Sequence, residues 1–224
     1  MINYLYNLFH HNVQVENLDE DVTCVDRLIP VVWLHGAGQT HNSWRYIREQ
    51  LDYPHEILID YSSLSRFHEN LDEMVHKIGN EPVFVVGHSL GGLYALHLTQ
   101  RCNVVGGVSV STPYRGSSAA DWAKYVIPSY PIFRDVGRRS LPIIEAAKMQ
   151  VEVPWMQIVS TGGAVPYLKG ENDGVCTVAS MNCRNDMGIE YTDSTHYEVM
   201  VDDRVVEIIT ETYHAAQLAN KLNQ

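Results

Sequence analysis

The sequence lacks any long uninterrupted hydrophobic run. No stretch comes near the roughly 18 consecutive apolar residues that a membrane-spanning helix needs, so we expect no integral association with a membrane. The first 15 residues contain no Lys or Arg and are interrupted by polar side chains, which is atypical of a secretory signal peptide. From this pattern we predict a cytoplasmic protein.

Positive charge is also scarce. Lys and Arg number 16 against 27 Asp and Glu, which gives a formal net charge of −11 at pH 7. Nucleic-acid binding needs a basic face, so this partner class is disfavoured. The 224 residues, 45% of them hydrophobic, are ample for a sizeable core and exclude a disordered protein. The oligomeric state does not follow from the sequence.

Cysteine is sparse, and no C-x-x-C pair occurs among Cys24, Cys102, Cys176 and Cys183. Because no export signal is recognised, we expect reduced thiols, whereas an exported protein could form a bridge between Cys176 and Cys183. No spacing of histidines and carboxylates is typical of a metal site. We therefore predict neither a metal nor another cofactor.

Short apolar runs alternate with amphipathic stretches along the chain. The apolar runs predict strands at residues 31–34, 56–60, 83–86, 104–110, 155–160 and 188–192. The amphipathic stretches predict helices at residues 43–51 and 64–78, after the third strand to about residue 101, and at residues 204–222. This alternation is typical of an α/β fold with a mostly parallel central sheet and helices on both faces. We expect one domain over residues 1–224, with an antiparallel hairpin within the first 30.

The connection between the fourth and fifth strands is unusually long. We interpret residues 114–152 as a small lid-like insertion over the carboxyl edge of the sheet, because long connections in compact domains are commonly functional. A pair of packing helices without a gating role is the alternative. The apolar side chains of this insertion suggest that the substrate has an apolar acyl or alcohol group. These side chains are Trp122, Tyr125, Ile127, Tyr130 and Phe133.

The run G-H-S-L-G at residues 87–91 matches the G-x-S-x-G pattern of a nucleophile elbow. It follows the strand VFVV and precedes the helical stretch LYALHLTQ, as such a turn requires. The sharp turn strains the serine backbone and exposes its hydroxyl, while Gly87 and Gly91 avoid clashes of Cβ atoms. Ser89 is therefore the candidate nucleophile; the alternative is that it only caps the helix.

A serine hydroxyl needs a base that a third group orients. With this elbow, the order along the chain is Ser, acid, His. Asp173 and His196 fit this order and follow the fifth and sixth predicted strands. Asp186 and Asp193 are rival acids, although Asp186 lies in an apparent excursion and Asp193 only three residues before the histidine. A plain Asp-Gly turn is the alternative for Asp173.

An oxyanion hole needs two hydrogen-bond donors. The Leu90 amide at the helix N-terminus is one candidate. The second is the Ala37 amide, because the small residues of the run HGAG let the backbone approach a substrate; a plain glycine turn is the alternative. His88 lies inside the elbow and cannot deprotonate its neighbour, and His97 is predicted to be a core or surface residue.

Together these motifs resemble those of the α/β-hydrolase superfamily, and among its members those of bacterial lipases and esterases. WLHGAG is similar to their oxyanion loop, VVGHSLGG to their elbow, NDGVCTVAS to their acid segment and THYEVM to their histidine segment. STPYRGS resembles a further motif, but Tyr114 stands where many members have histidine. The resemblance implies an α/β-hydrolase fold with Ser89 as nucleophile, Asp173 as acid, His196 as base, and Leu90 and Ala37 as oxyanion donors.

We therefore expect a serine hydrolase that cleaves carboxylic esters through an acyl-enzyme and acts on a small-molecule ester or lipid. A thioesterase, amidase or acyltransferase would use the same three residues, and the sequence does not discriminate among them. A non-catalytic binding protein of this fold is a further alternative, which an incomplete triad would favour. A lipid-surface module is another, supported by the apolar insertion alone.

Overall fold

The computed structural model describes residues 28–116, 135–166 and 168–223. Within these ranges lie six strands: β1 Val31–Leu34, β2 Glu56–Ile59, β3 Val83–His88, β4 Val104–Val110, β5 Trp155–Ser160 and β6 Gly188–Thr192. The same ranges hold six α-helices: α1 Arg45–Leu51, α2 Phe67–Ile78, α3 Leu90–Leu98, α4 Leu141–Ala146, α5 Val178–Met181 and α6 Asp203–Leu222. The hairpin predicted near the N-terminus, apart from residues 28–30, lies outside the described residues. So do the five apolar residues of the predicted lid.

The six strands form one parallel sheet in the order β2-β1-β3-β4-β5-β6. The predicted α/β fold with a central parallel sheet is therefore confirmed. The predicted limits hold for β1, β4, β5 and β6, while β2 ends one residue early and β3 continues through Gly87 and His88. Every residue of β1, β3 and β5 is buried, which explains their continuous apolar sequences.

Two hydrophobic cores lie on opposite faces of the sheet, because successive strand residues point to opposite sides. Val32 and Leu34 of β1 pack in one core with residues of α2, α3 and α4. Val31 and Trp33 pack in the other core with residues of α1 and α6. Helices thus cover both faces, as the sequence predicts.

Helix α2 begins later than its periodicity predicts. The Arg66 amide donates to Glu69 Oε2 at 2.9 Å and closes the first turn. Phe67 and Leu71 are buried, but Leu64, predicted on the same apolar face, is 63% exposed. Leu64 precedes the helix start, so helical spacing does not apply to it. Similarly, α3 ends at Leu98 rather than near residue 101.

The strand order creates an opening at the carboxyl edge between β1 and β3. After β1 the chain continues to α1, which packs on the same face as α6. After β3 it continues to α3, which packs with α2 on the other face. The two connections therefore diverge, and such a switch point is where open α/β sheets bind ligands.

Asp202 caps α6 and ties its start to the preceding loop. Its Oδ1 accepts from the Arg204 amide at 2.9 Å, and its Oδ2 accepts from the Thr192 and Ser194 hydroxyls, each at 2.6 Å. Burial raises the pKa of Asp202, but these hydrogen bonds outweigh burial and hold the pKa below its ordinary value. The carboxylate therefore stabilises the fold in its charged form.

We expect Asp202→Ala to lower the free energy of unfolding at pH 7 by about 1–2 kcal/mol, the usual effect of losing an N-cap. Because the folded pKa of Asp202 lies below the unfolded one, the charge-dependent part is present above about pH 4 and is lost as pH falls. Urea unfolding at pH 7 and pH 3 measures both effects. Glu207→Gln, on the exposed side of α6, is the control. An equal loss at both pH values would contradict the charge argument.

Candidate active site

Ser89 lies in the sharp turn between β3 and α3. Its φ of 53° and ψ of −117° place it in a region that residues with side chains rarely adopt. Its amide donates to the Val110 carbonyl at 2.8 Å, which holds the turn against β4. A Cβ atom at Gly87 would overlap the backbone of Gly91, and one at Gly91 would overlap carbonyls at the end of β1. The two glycines therefore allow the turn that the sequence predicts.

His196 lies in the loop after β6 and contacts both of its predicted partners. Its Nε2 lies 3.0 Å from Ser89 Oγ, and its Nδ1 lies 2.6 Å from Asp173 Oδ2. The backbone fixes the same pair, because the His196 amide donates to the Asp173 carbonyl at 2.9 Å. His196 and Asp173 are 2% and 1% exposed. The fold thus brings together three residues that lie far apart in sequence.

The Asp173 carboxylate accepts hydrogen bonds at both oxygens. Oδ1 accepts from the amides of Val175 and Cys176 at 2.9 and 2.7 Å, and Oδ2 accepts from Ser160 Oγ at 2.7 Å besides facing His196. Burial raises the pKa of Asp173, but the hydrogen bonds outweigh burial and lower the pKa below its ordinary value. A charged carboxylate here favours a proton on His196 Nδ1 and leaves the Nε2 lone pair facing the serine.

The rival acids lie elsewhere. Asp186 pairs with Arg184 and accepts from the Val151 amide at 2.8 Å. Asp193 is exposed, and its side chain has no hydrogen-bond partner within the described ranges. Asp173 is therefore the carboxylate that contacts the histidine.

The loop after β1 lies beside the elbow and presents one unused amide. The amides of Gly36 and Gly38 donate to Gln39 Oε1 and Ser63 Oγ, both at 2.9 Å. Between them, the Ala37 amide has no acceptor among the described residues, and neither has the Leu90 amide at the start of α3. The two amides predicted to bind an oxyanion are thus available to a ligand.

His35 holds this loop in place, although no sequence signal assigned it a role. Its Nδ1 lies 2.7 Å from the Gly36 carbonyl, its Nε2 accepts from the Tyr61 amide at 3.3 Å, and its ring stacks on Tyr61 at 4.1 Å. Burial lowers the pKa of His35. The ring must be neutral, since a protonated Nε2 could not accept. His35 therefore fixes the backbone on which Ala37 lies.

His88, inside the elbow, supports the loop of His196. It is buried, and its Nε2 donates to the His196 carbonyl at 2.8 Å. Burial lowers the pKa of His88 to about 3, so the ring is neutral at physiological pH. His97 is buried, with Nε2 3.0 Å from the Pro142 carbonyl. Neither histidine contacts Ser89 Oγ among the described contacts.

Ser160, the last residue of β5, was not predicted to be part of the site. Its hydroxyl lies between Asp173 Oδ2 and the Ser111 hydroxyl, at 2.7 Å from each. We expect Ser160→Ala to lower kcat/KM for an ester about tenfold, because hydrogen bonds to charged groups contribute about 1.5–3 kcal/mol. Losing this donor raises the pKa of Asp173, and we expect the acid limb of the pH–rate profile to shift to higher pH.

Ser109→Ala is the matched control, because Ser109 is equally buried but bonds Trp155 Nε1 at 3.0 Å. It is expected to change stability without shifting the pH profile. A Ser160→Ala enzyme with an unshifted acid limb would show that Ser160 does not act on Asp173.

One group of potential metal ligands occurs within the described ranges, formed by Asp173, Cys176 and His196, with ligand atoms within 4.8 Å of one another. Hydrogen bonds already engage both Asp173 oxygens, and the two His196 nitrogens face Asp173 and Ser89. An acid–base pair explains these contacts without an ion. In the same ranges, no helix has the length and apolar character needed to cross a membrane.

The sequence matches the alpha/beta hydrolase family over residues 31–166, which is more than half of the chain. Comparison with curated proteins gives no significant match. The matched residues include the loop after β1, the elbow and β5.

Several solved structures share the fold at low sequence identity. A lipase-esterase related protein from Clostridium acetobutylicum is 16% identical with a TM-score of 0.54, over 84% of this chain and 96% of that one. A monoacylglycerol lipase from Paleococcus ferrophilus is 15% identical with a TM-score of 0.58, over 83% and 94%. A type II thioesterase from the borrelidin biosynthetic cluster is 14% identical with a TM-score of 0.55, over 84% and 92%. With its parallel sheet, its elbow and this sequence match, the chain belongs to the alpha/beta hydrolase family.

Proposed function

We propose that the protein is a serine hydrolase that cleaves carboxylic esters of small molecules or lipids. The observation that carries the proposal is the hydrogen-bonded series from Asp173 through His196 to Ser89, at 2.6 and 3.0 Å. Such a series activates a serine hydroxyl that is otherwise a weak nucleophile.

In the first half of the reaction, Ser89 Oγ attacks the ester carbonyl carbon while His196 Nε2 takes the hydroxyl proton. The carbonyl oxygen becomes an oxyanion, which the Leu90 and Ala37 amides bind. When this intermediate collapses, the ester C–O bond breaks and His196 returns the proton to the leaving alcohol. Asp173 stabilises the charged imidazole throughout.

In the second half, water replaces the serine as nucleophile. His196 takes a proton from water as its oxygen attacks the acyl carbon. Collapse breaks the bond to Ser89 Oγ, and the proton returns to that oxygen. The products are a carboxylic acid and free enzyme, with no metal or other cofactor in the reaction.

A thioesterase is the second candidate, favoured by the fold likeness to a type II thioesterase. The same residues would attack a thioester, and an amidase or acyltransferase would differ in leaving group or acceptor. Reaction rates on substrates with different leaving groups and acceptors therefore decide among these activities.

We propose a lid within the insertion of residues 114–152 of a single domain, but not over its whole length, because Ile143 and Ala146 of α4 pack in the core. The backbones of Gly116 and Arg138 approach so closely that a Cβ at Gly116 would overlap Arg138. These two described positions of the insertion therefore lie side by side, as the ends of an inserted segment do.

The test is initial rates on p-nitrophenyl esters from acetyl to palmitoyl, beside an acyl N-acetylcysteamine thioester of equal chain length. A fluorophosphonate, which reacts with activated serines, is added in parallel and the modified peptide is identified by mass spectrometry. Ester turnover with label on Ser89 is the expected result. Faster thioester turnover would favour the thioesterase, while neither turnover nor label would contradict the hydrolase proposal.

A further inference from the structure

A separate cavity of about 500 Å³ opens at the carboxyl edge of the sheet, beside the loop that carries Asp173. Arg115 of its lining follows the end of β4, and Thr177 follows the Asp173 turn. Most of its polar lining comes from Arg115, Arg138, Lys169, Thr177 and Ser180.

The charge of this cavity is opposite to that of the chain. Among the described residues that line it, three are Lys or Arg and none is acidic, although the net charge of the chain is −11. Within the described ranges, no carboxylate pairs with Arg115 or Lys169. Like charges held around one cavity repel each other, and a bound anion relieves this repulsion.

The cavity wall is fixed by hydrogen bonds rather than formed by side chains alone. Ser180 Oγ donates to the Gly116 carbonyl at 2.7 Å, and the Arg115 amide donates to the Ser180 carbonyl at 3.4 Å. The positive φ of Gly116, 76°, and its missing side chain let the backbone of Arg138 pack against it. The backbone beside Arg115 is therefore held against a second segment, and the Arg115 guanidinium is suited to the oxygens of a phosphate.

The cavity adjoins the loop that carries Asp173. The Cys176 amide donates to Asp173 Oδ1 at 2.7 Å, and Thr177 of the cavity is the next residue. We propose that this cavity binds a phosphate group carried by the substrate, so that the preferred substrates are acyl esters of a phosphorylated alcohol. This inference rests on the proposed ester hydrolysis and names its substrate class.

A larger cavity of about 730 Å³ provides a contrast and a control. Its lining includes Val104, the first residue of β4, so it opens at the opposite end of the sheet. Lys148 in its lining is accompanied by Glu145 and Glu152. Its mixed charge does not favour an anion, and Lys148 is exposed and remote from the proposed phosphate site.

The first experiment compares 1-butanoylglycerol with 1-butanoylglycerol 3-phosphate, which differ only in the phosphate, by measuring released butyrate at low ionic strength. We expect kcat/KM to be about tenfold higher for the phosphate ester, the equivalent of one charge-assisted hydrogen bond. In the double variant Arg115→Gln with Lys169→Gln, this ratio should fall to about one. Lys148→Gln should retain the wild-type ratio, and thermal unfolding confirms that each variant is folded.

The second experiment titrates inorganic phosphate into the wild type and the double variant by calorimetry at constant ionic strength, which needs no turnover. The proposal is supported if the wild type binds phosphate and prefers the phosphate ester, and if the double variant loses both properties. Phosphate binding without ester preference overturns the substrate assignment and indicates a site for free phosphate. If the protein neither binds phosphate nor prefers the phosphate ester, the proposal is overturned entirely. If neither ester is hydrolysed, the ester-hydrolase function fails and the substrate assignment with it, while the titration still decides whether the cavity binds phosphate.

Discussion

Ser89→Ala is expected to lower kcat on p-nitrophenyl esters by about 10⁶-fold, the scale on which loss of a serine nucleophile acts. The variant keeps the Asp173–His196 pair but has no oxygen to form the acyl-enzyme. Because alanine adopts the same strained backbone no more easily than serine does, the free energy of unfolding should change little. Single-turnover rates and urea unfolding measure the two effects.

Ser65→Ala is a suitable control, because Ser65 lies in the turn before α2 and its side chain makes no described hydrogen bond to the candidate triad. It should leave kcat unchanged. Residual turnover within a hundredfold of wild type in the Ser89 variant would contradict its role as nucleophile and move attention to a non-catalytic binding protein. Loss of fluorophosphonate labelling in the same variant separates loss of the nucleophile from loss of substrate binding.

Asp173→Asn is expected to lower kcat by about 10⁴-fold at neutral pH, as in other triads in which the acid is made neutral. The amide has nearly the same shape as the carboxylate. However, it carries no charge to stabilise the imidazolium, and its NH₂ group can favour the wrong tautomer of His196. Since the Val175 and Cys176 amides donate to Asp173 Oδ1, we expect the side-chain oxygen of Asn to face them and its NH₂ group to face His196.

Asp193→Asn provides the matched comparison, since Asp193 lies three residues before His196 yet is exposed. It should retain wild-type kcat and the wild-type pH profile. A larger loss in Asp193→Asn than in Asp173→Asn would reverse the assignment of the acid. Circular dichroism of both variants checks that the loop after β6 still folds.

Sequence patterns predict the elements of this fold where one physical cause dominates. The strands are buried on both faces, so continuous apolar runs mark them, and the limits of β1, β4, β5 and β6 are predicted correctly. The three residues of the candidate triad can be chosen because chain order and strand ends restrict the choice. Leu64 shows the limit, because periodicity cannot reveal that a capped turn starts α2 three residues later.

Supporting residues could not be predicted in the same way. Ser160 and His35 contribute through hydrogen bonds that exist only once β5 and the loop after β1 lie beside the site. Arg115, Arg138 and Lys169 come from three separate segments, and no spacing relates them. The sequence thus indicates the candidate triad more readily than the residues that support it or line the neighbouring cavity.

Tyr114 is a departure from the family pattern that the structure explains in part. It is 2% exposed, packs in the core with α2, α3 and α4, and lies beneath the Arg184 guanidinium at 5.3 Å from its ring centre. An aromatic side chain here fills apolar volume. Tyr114 thus serves packing of the core beside the site.

The Asp202 carboxylate joins three parts of the molecule: the end of β6, the loop leading to His196 and the start of the last helix. Local opening of that helix therefore releases the segment that holds the base. We expect heat to inactivate the protein before it unfolds globally, because fraying at the start of α6 would displace the loop that carries His196. We therefore expect the stability of α6 to affect how long the protein stays active on heating, although no residue of α6 belongs to the proposed triad.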